Sequence, residues 1–304
     1  MSTAAGAVSG TTATPRRRVR HRRSPWRRLV RRIPFFLLVV IIIVFIGFPF
    51  YWALRSSLTP EGQLFTTPLH YWPTTPTLQN YRDAFSSGDF THALLNSTIV
   101  AATLTIIALV LGGTAAYAVA RFRFPGRNLT LLAMLSMTMF PQIAILGALY
   151  TLINKAHLYN TLTALIFSDL VLVLPLTTWI LTSFMRQLPK DLEEAAYVDG
   201  ATPTQAFYKV MLPLIAPGLV TAGLLAFITA WQEYLYALSF TDTPDKYTVT
   251  VAISSFTGKT GNAFQTPWGE IMAATMIVTV PLIVLTLVFQ RRIISGLTAG
   301  AVKG

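Results

Sequence analysis

The sequence predicts an all-α integral membrane protein with six membrane-spanning helices. Composition supports this class, since 53% of the 304 residues are hydrophobic and only 12% are charged, about half the charged share of a soluble domain. The chain also contains apolar runs of about 20 residues, the length that a helix needs to cross a hydrocarbon core of ~30 Å. A helix satisfies its own backbone polar groups there, which an open strand cannot do.

The six spans are predicted from the apolar runs in chain order. They cover about 33–54, 96–120, 129–153, 160–184, 214–236 and 268–290. The second, third and fourth also hold polar or helix-breaking residues, namely Thr105, Gly112, Gly113, Pro141, Asp169 and Pro175. Proline is tolerated inside a membrane helix where neighbouring groups satisfy the carbonyl that it leaves unbonded. We therefore expect a transmembrane domain over 33–290, between a disordered basic tail over 1–32 and a short tail over 291–304.

Lys and Arg are concentrated in alternate loops. Of the 24 Lys and Arg, nineteen lie in the two tails and in loops 121–128 and 185–213, and five lie in the remaining loops. The positive-inside rule then predicts that both termini and loop 185–213 are cytoplasmic. The Arg-rich start would also suit nucleic acid, but we interpret it as a tail that contacts anionic membrane lipid, with no nucleic-acid partner.

Several chemistries lack the residues they need. The chain has no cysteine and its four histidines are scattered, so we expect no metal site and no cysteine nucleophile. The segment Thr257–Thr260 resembles the end of a phosphate-binding loop, but the position of that loop's first glycine is occupied by Ile253. We therefore expect a chain that is not an enzyme, holds no cofactor and binds no nucleotide itself.

The predicted cytoplasmic loop 185–213, called the coupling loop below, has the signals of two short helices. Acidic residues from Asp191 onward suit a first helical turn, and Gly200 is suited to the left-handed turn that ends a helix. Thr202-Pro203-Thr204-Gln205 then forms a capping box with proline at the first helical position. Two helices joined at a glycine would present a compact docking surface. The alternative is an amphipathic loop lying on the bilayer, for which the acidic first helix is ill suited.

The same loop resembles the EAA loop of binding-protein-dependent ABC-transporter permeases. The resemblance rests on Glu194-Ala195-Ala196, Gly200 and Leu212-Pro213, with Val210 where the family usually has isoleucine. Further segments resemble the MalG-like carbohydrate branch of that family: Asn80-Tyr81, Ala115–Asn128, Trp231–Tyr234 and Gln290–Gly304.

This resemblance implies an ABC importer type I permease fold in a bacterial inner (cytoplasmic) membrane. The implied partners are a second, MalF-like permease, a dimer of ATPase subunits that bind ATP and Mg, and an extracytoplasmic sugar-binding protein. The residues implied to dock on the ATPase are Glu194, Ala195, Ala196, Asp199, Gly200, Leu212 and Pro213. Segment 300–304 would reach between the ATPase subunits, or fray as a polar tail.

Two further candidate sites lie elsewhere. The outer loop 237–267 would act as a scoop loop that enters the binding protein, or it would be a surface loop without a partner. The candidate residues for contact with the binding protein are Thr257, Gly258, Lys259, Thr260, Gly261 and Asn262. Asp169 lies inside a predicted span, where a carboxylate normally faces protein or a water-filled cavity. It would contact substrate along the pathway, or form a hydrogen bond between helices.

The predicted function is the uptake of a di- or oligosaccharide of the maltose, trehalose or α-glucoside type, with a partner ATPase as the energy source. The alternatives are an ABC permease for another solute, such as glycerol 3-phosphate, and an ion-coupled secondary transporter. Against the latter, the spans lack an evident inverted repeat, and few acids lie within them.

Overall fold

The computed structural model describes residues 25–68, 70–86, 88–258 and 266–298, and within these ranges its regular structure is helical. The α-helices are α1 Pro25–Ser57, α2 Gln79–Ser86, α3 Asp89–Arg121, α4 Arg127–Met137, α5 Gln142–Lys155, α6 Leu162–Gln187, α7 Asp191–Val198, α8 Pro203–Ala206, α9 Leu212–Leu214, α10 Ala216–Trp231, α11 Leu235–Phe240, α12 Val249–Ser255 and α13 Trp268–Thr298.

Four helical segments of the described chain are long and apolar enough to cross a membrane, and two bent helix pairs raise the number to as many as six. The four are Arg32–Ser57, Asp89–Arg121, Leu162–Gln187 and Trp268–Gln290. The bent pairs are α4 with α5, at 95°, and the segment Pro203–Leu214 with α10, at 78°.

The third predicted span, 129–153, is therefore not one continuous helix. Helix α4 ends at Met137, and Pro141 has an extended backbone with ψ of 129° immediately before α5. Proline has no N–H for the helical hydrogen bond and its ring clashes with the preceding turn, so the chain changes direction there. The fifth predicted span, 214–236, is also shorter than expected: the bend lies at its start, where α9 and α10 each carry a proline in the first turn, and α10 ends at Trp231.

The described residues form two compact units, which divide between residues 51 and 52. In the first unit, α1 begins at Pro25. Residues 25–32 are therefore helical, although the sequence predicted a disordered tail through residue 32. Proline fits the first helical position because no N–H is needed there. The apolar side chains of the span that starts at Arg32 are exposed, with none of its most apolar 18-residue window buried, as suits a helix surrounded by lipid.

In the second unit, α3, α6 and α10 pack together through glycines. A Cβ at Gly112 of α3 would lie 2.9 Å from the Thr177 side chain of α6, and one at Gly218 of α10 would lie 2.6 Å from Phe184. Small residues let helix backbones approach closely, which is how membrane helices gain packing energy. This three-helix core carries the coupling loop at one end.

At the opposite end, α2 joins the last turn of α1 to the start of α13. The Asn80 amide donates to the carbonyls of Ser57 and Thr59, at 2.9 and 2.8 Å. A Cβ at Gly269 would lie 2.7 Å from that same amide, so only glycine allows α13 to approach it. The ends of the first and last spans are thereby held side by side.

Candidate functional site: the coupling loop and its anchor

The coupling loop folds into the two helices that its capping signals predict. Helix α7 ends at Val198, and Gly200 follows with a φ of +84°, in the left-handed region that glycine adopts without strain. Both bonds of the capping box are present, from Gln205 N to Thr202 Oγ1 at 3.3 Å and from Thr202 N to Gln205 Oε1 at 3.0 Å. The predicted division of the loop at Gly200 is confirmed.

The second half of the loop is fixed to the helical core. After α8 the chain makes a π-helical turn over Phe207–Met211, and both of these end residues are buried. The Phe207 ring lies 4.9 Å from the ring of Tyr117 on α3, and Met211 belongs to the same apolar cluster as Leu181 of α6. The loop is therefore continuous with the core and does not lie loosely on its surface.

The first half is held by Glu193, which is only 6% exposed. Its carboxylate accepts hydrogen bonds from the hydroxyls of Tyr117 and Tyr197, the latter at 2.8 Å. Nε of Arg121, at the end of α3, lies 3.0 Å from Glu193 Oε2 in a buried ion pair. Nη2 of the same arginine donates to the carbonyl of Leu188 at 3.2 Å. We call Tyr117, Arg121, Glu193 and Tyr197 the anchor cluster.

The two tyrosines complete the hydrogen bonding around the Glu193 carboxylate. A buried ion pair is stable when further hydrogen bonds satisfy the remaining lone pairs, and the two tyrosines supply them here. The nearby Tyr117 hydroxyl lowers the pKa of Tyr197, but burial and the hydrogen bond to Glu193 outweigh this effect and leave that pKa raised. The Tyr197 phenol therefore stays protonated at neutral pH and remains a donor to the carboxylate.

The residues that follow Glu193 include several that are exposed and do not face α3. Glu194, Ala195, Val198 and Asp199 are exposed, and Val198 keeps 87% of its surface. Of the other predicted docking residues, Ala196 is buried, Leu212 is half-buried, and Gly200 and Pro213 are exposed.

A polar cavity of about 320 Å³ lies beside this exposed face. It is lined by Arg121, Phe122, Lys190, Glu193, Glu194 and Tyr197. A cavity that carries both signs of charge next to an exposed apolar side chain has the character of a protein-docking surface.

The predicted docking residues are mostly exposed, and the sequence analysis did not identify the buried anchor cluster. Arg121 was counted only toward topology, and Glu193 only as an acid of the first helical turn. A signal was present, because Tyr117 and Arg121 are four residues apart, as are Glu193 and Tyr197. Residues four apart share one helix face, so two matched polar pairs of this kind can meet.

Asp169 of α6 is 2% exposed. Within the described part of the chain, its Oδ1, the hydroxyl of Ser168 and the hydroxyl of Tyr236 have no hydrogen-bond partner. Asp169 also interacts electrostatically with Tyr236 and with Glu233. The hydrogen bond between helices that was one interpretation of Asp169 is therefore not formed by Oδ1 with any described residue.

The predicted scoop-loop residues are only partly described. Thr257 and Gly258 lie in a 3-10 turn over Phe256–Gly258. Lys259, Thr260, Gly261 and Asn262 lie outside the described residues, as does segment 300–304.

Comparison with known proteins agrees with this architecture. The model of the family "Binding-protein-dependent transport system inner membrane component" matches residues 108–298, which include the whole coupling loop. The chain is similar to the trehalose transport system permease protein SugB of Mycobacterium tuberculosis, with 45% identity over 88% of this chain and 96% of the relative. It is 41% identical to the sulfoquinovosyl glycerol transport system permease protein SmoH of Agrobacterium fabrum, over 88% and 93% of the two chains.

A solved structure has the same fold. It is that of a bacterial ABC transporter involved in the import of the acidic polysaccharide alginate, with a TM-score of 0.77 at 18% identity over 88% of this chain and 98% of that one. The chain belongs to the binding-protein-dependent transport system inner membrane components, the membrane-spanning and non-catalytic permease subunits of ABC importers.

Proposed function

We propose that this permease imports a di- or oligosaccharide of the maltose, trehalose or α-glucoside type. It forms the translocation pathway with a second permease, and it transmits the closing of a cytoplasmic ATPase dimer to the membrane helices. The 45% identity to a trehalose permease over nearly the full length of both chains supports the substrate class.

The observation that carries the proposed mechanism is the difference in burial and bonding between Glu193 and Glu194. Glu193 is buried and bonded to α3, while Glu194 is exposed on the neighbouring face of α7. A force applied to the exposed face therefore reaches α3 through a buried ion pair rather than through a flexible loop. Discrete, well-packed networks of this kind are what carry coupling between distant sites.

The proposed partner surface is the exposed part of the loop. Glu194 faces a basic residue of the ATPase, and Val198 and Asp199 fill the cleft around it. Gly200 is the turn between the two docking helices, and its open surroundings, with no atom within 4 Å of an added Cβ, leave room for the ATPase surface to approach.

On the substrate side, we assign Asp169 to the pathway. A buried carboxylate oxygen and two buried hydroxyls without partners would each cost free energy unless something else satisfies them. Sugar hydroxyls, or water that precedes the sugar, can donate to the carboxylate and accept from the hydroxyls of Ser168 and Tyr236. At the outer surface, the scoop loop around Thr257 and Gly258 is proposed to enter the sugar-binding protein.

The substrate is tested with the assembled importer in vesicles, supplied with its binding protein and ATP. Uptake of labelled trehalose or maltose that is lost when ATP hydrolysis is blocked is the expected result. Two competitors belong in the same panel: sulfoquinovosyl glycerol, because of the 41% identical relative, and glycerol 3-phosphate. Preferred uptake of either would replace the proposed substrate class, and uptake without ATP would overturn the importer mechanism.

The pathway assignment predicts that Asp169→Ala lowers sugar uptake while the ATPase still docks, because Asp169 lies about 27 Å along α6 from the end of that helix at Gln187. Ser183→Ala is the matched control, since it removes a hydroxyl of the same helix outside the assigned site and should leave uptake unchanged. Uptake by Asp169→Ala vesicles at the wild-type rate would refute the assignment.

A further inference from the structure

A second cavity, of about 550 Å³, lies where the first span ends and the last span begins. Its volume is within the ~300–1,000 Å³ of small-molecule sites. Its lining is largely apolar and includes two tryptophans; the lining residues are Trp52, Arg55, Ser56, Leu64, Phe65, Thr66, Thr67, Trp268 and Met272. Tryptophans are enriched where a membrane helix meets the headgroup layer.

The charged member of this lining is Arg55, which is only 4% exposed. Its Nε and Nη2 both donate to the carbonyl of His70, at 3.1 and 2.7 Å, and its guanidinium carbon lies 5.1 Å from the ring centroid of Trp52. Its Nη1 is buried and has no acceptor among the residues that the structure describes. One donor edge of a full positive charge is therefore left for a ligand.

Glu61, six residues after Arg55 in sequence, is bonded elsewhere. Glu61 is hydrogen-bonded through both carboxylate oxygens to the start of α13, to Trp268 N at 2.9 Å and Gly269 N at 2.8 Å. No acidic side chain is among the described residues that line the cavity. A buried guanidinium that is bonded only to carbonyl and aromatic dipoles is incompletely compensated, which favours an anionic ligand.

We propose that this cavity binds one anionic phospholipid, with its phosphate on Arg55 and the upper part of an acyl chain against the apolar lining. The guanidinium matches the oxygens of a phosphodiester. The hydroxyl of Thr67, which lines the cavity, donates to the headgroup, and Phe65 and Met272 contact the chain. The two span ends put the site at headgroup depth, where such a lipid is always available, whereas a soluble sugar would find an apolar lining with few hydroxyl partners. This site is independent of the proposed substrate.

The test is native mass spectrometry of the complete importer released from nanodiscs that contain phosphatidylglycerol and phosphatidylcholine. The wild-type complex is expected to retain one phosphatidylglycerol per copy of this chain. Arg55→Gln is expected to lower that retention about tenfold or more, since it removes charge-assisted hydrogen bonds. Met272→Trp, which fills the cavity and leaves the bonds of Arg55 intact, is expected to lower it as well.

Arg82→Gln is the matched control, because Arg82 is an exposed arginine on the neighbouring helix α2 and does not line the cavity. It is expected to retain the lipid. Equal retention in all four proteins would overturn the proposal. A second result would also overturn it: Arg55→Gln keeps the lipid but captures the binding protein more weakly. The cavity would then hold an acidic side chain of the binding protein and not a lipid.

Discussion

Two buried arginines at opposite ends of the helical core are compensated in different ways. Arg121 lies against the carboxylate of Glu193, whereas Arg55 is bonded to a backbone carbonyl and stacked on Trp52. The first charge is paired with a carboxylate, whereas among the described residues the second has only a carbonyl and an aromatic ring as partners. We infer that Arg121 is a structural residue of the coupling loop and that Arg55 is a ligand-binding residue.

The largest expected effect is that of Arg121→Gln. This change leaves Glu193 buried without its counter-charge, and breaking a buried ion pair typically costs about 3–5 kcal/mol. We expect the thermal unfolding temperature of the permease to fall and the ATPase to dissociate during purification. Arg123→Gln is the matched control, since Arg123 is exposed two residues further along, and it should leave both measurements unchanged.

Arg55→Gln is expected to destabilise the chain less. It removes hydrogen bonds to the His70 carbonyl, worth about 1.5–3 kcal/mol for a charged donor, but it leaves no opposite charge unpaired. A thermal shift as large as that of Arg121→Gln, in the same detergent, would show that the two arginines have the same structural role and would remove the contrast between them.

A smaller change in stability but a complete loss of coupling is expected for Gly200→Asp. A side chain in the left-handed conformation costs roughly 1–2 kcal/mol, and the added carboxylate also fills the space that the ATPase requires. Gly200→Ala introduces the same backbone strain with little bulk, so it should keep part of the coupling. Substrate-stimulated ATP hydrolysis by Gly200→Asp at the wild-type rate would show that the docking surface lies elsewhere.

Local signals explain which parts of the site were predictable. The left-handed glycine at 200 and the capping box at Thr202 act within a few residues, so the sequence alone indicated two helices and their hinge. The anchor cluster joins Arg121 to Glu193 across 72 positions in sequence, and such a pairing depends on how α3 and α7 pack. Arg55 was treated only as a loop charge, because its burial depends on where the chain near His70 folds back.

The same distinction holds for the fold. Hydropathy located six apolar regions, because burial in lipid leaves a length and composition signature in the sequence. It did not place the sharp bend before Pro141, since a proline in a membrane helix can be accommodated by a kink or can end the helix. Packing of the neighbouring helices decides between these outcomes.

The central claim is that adjacent glutamates have separate roles, Glu193 holding the loop and Glu194 docking the ATPase. The most direct test compares Glu193→Gln with Glu194→Gln in the assembled importer, measuring both the unfolding temperature of the permease and the affinity of the ATPase. We predict that Glu193→Gln lowers the unfolding temperature, whereas Glu194→Gln changes the free energy of unfolding by no more than about 0.5 kcal/mol and weakens only ATPase binding. Equal loss of stability in both variants, or full ATPase affinity in Glu194→Gln, would contradict this account.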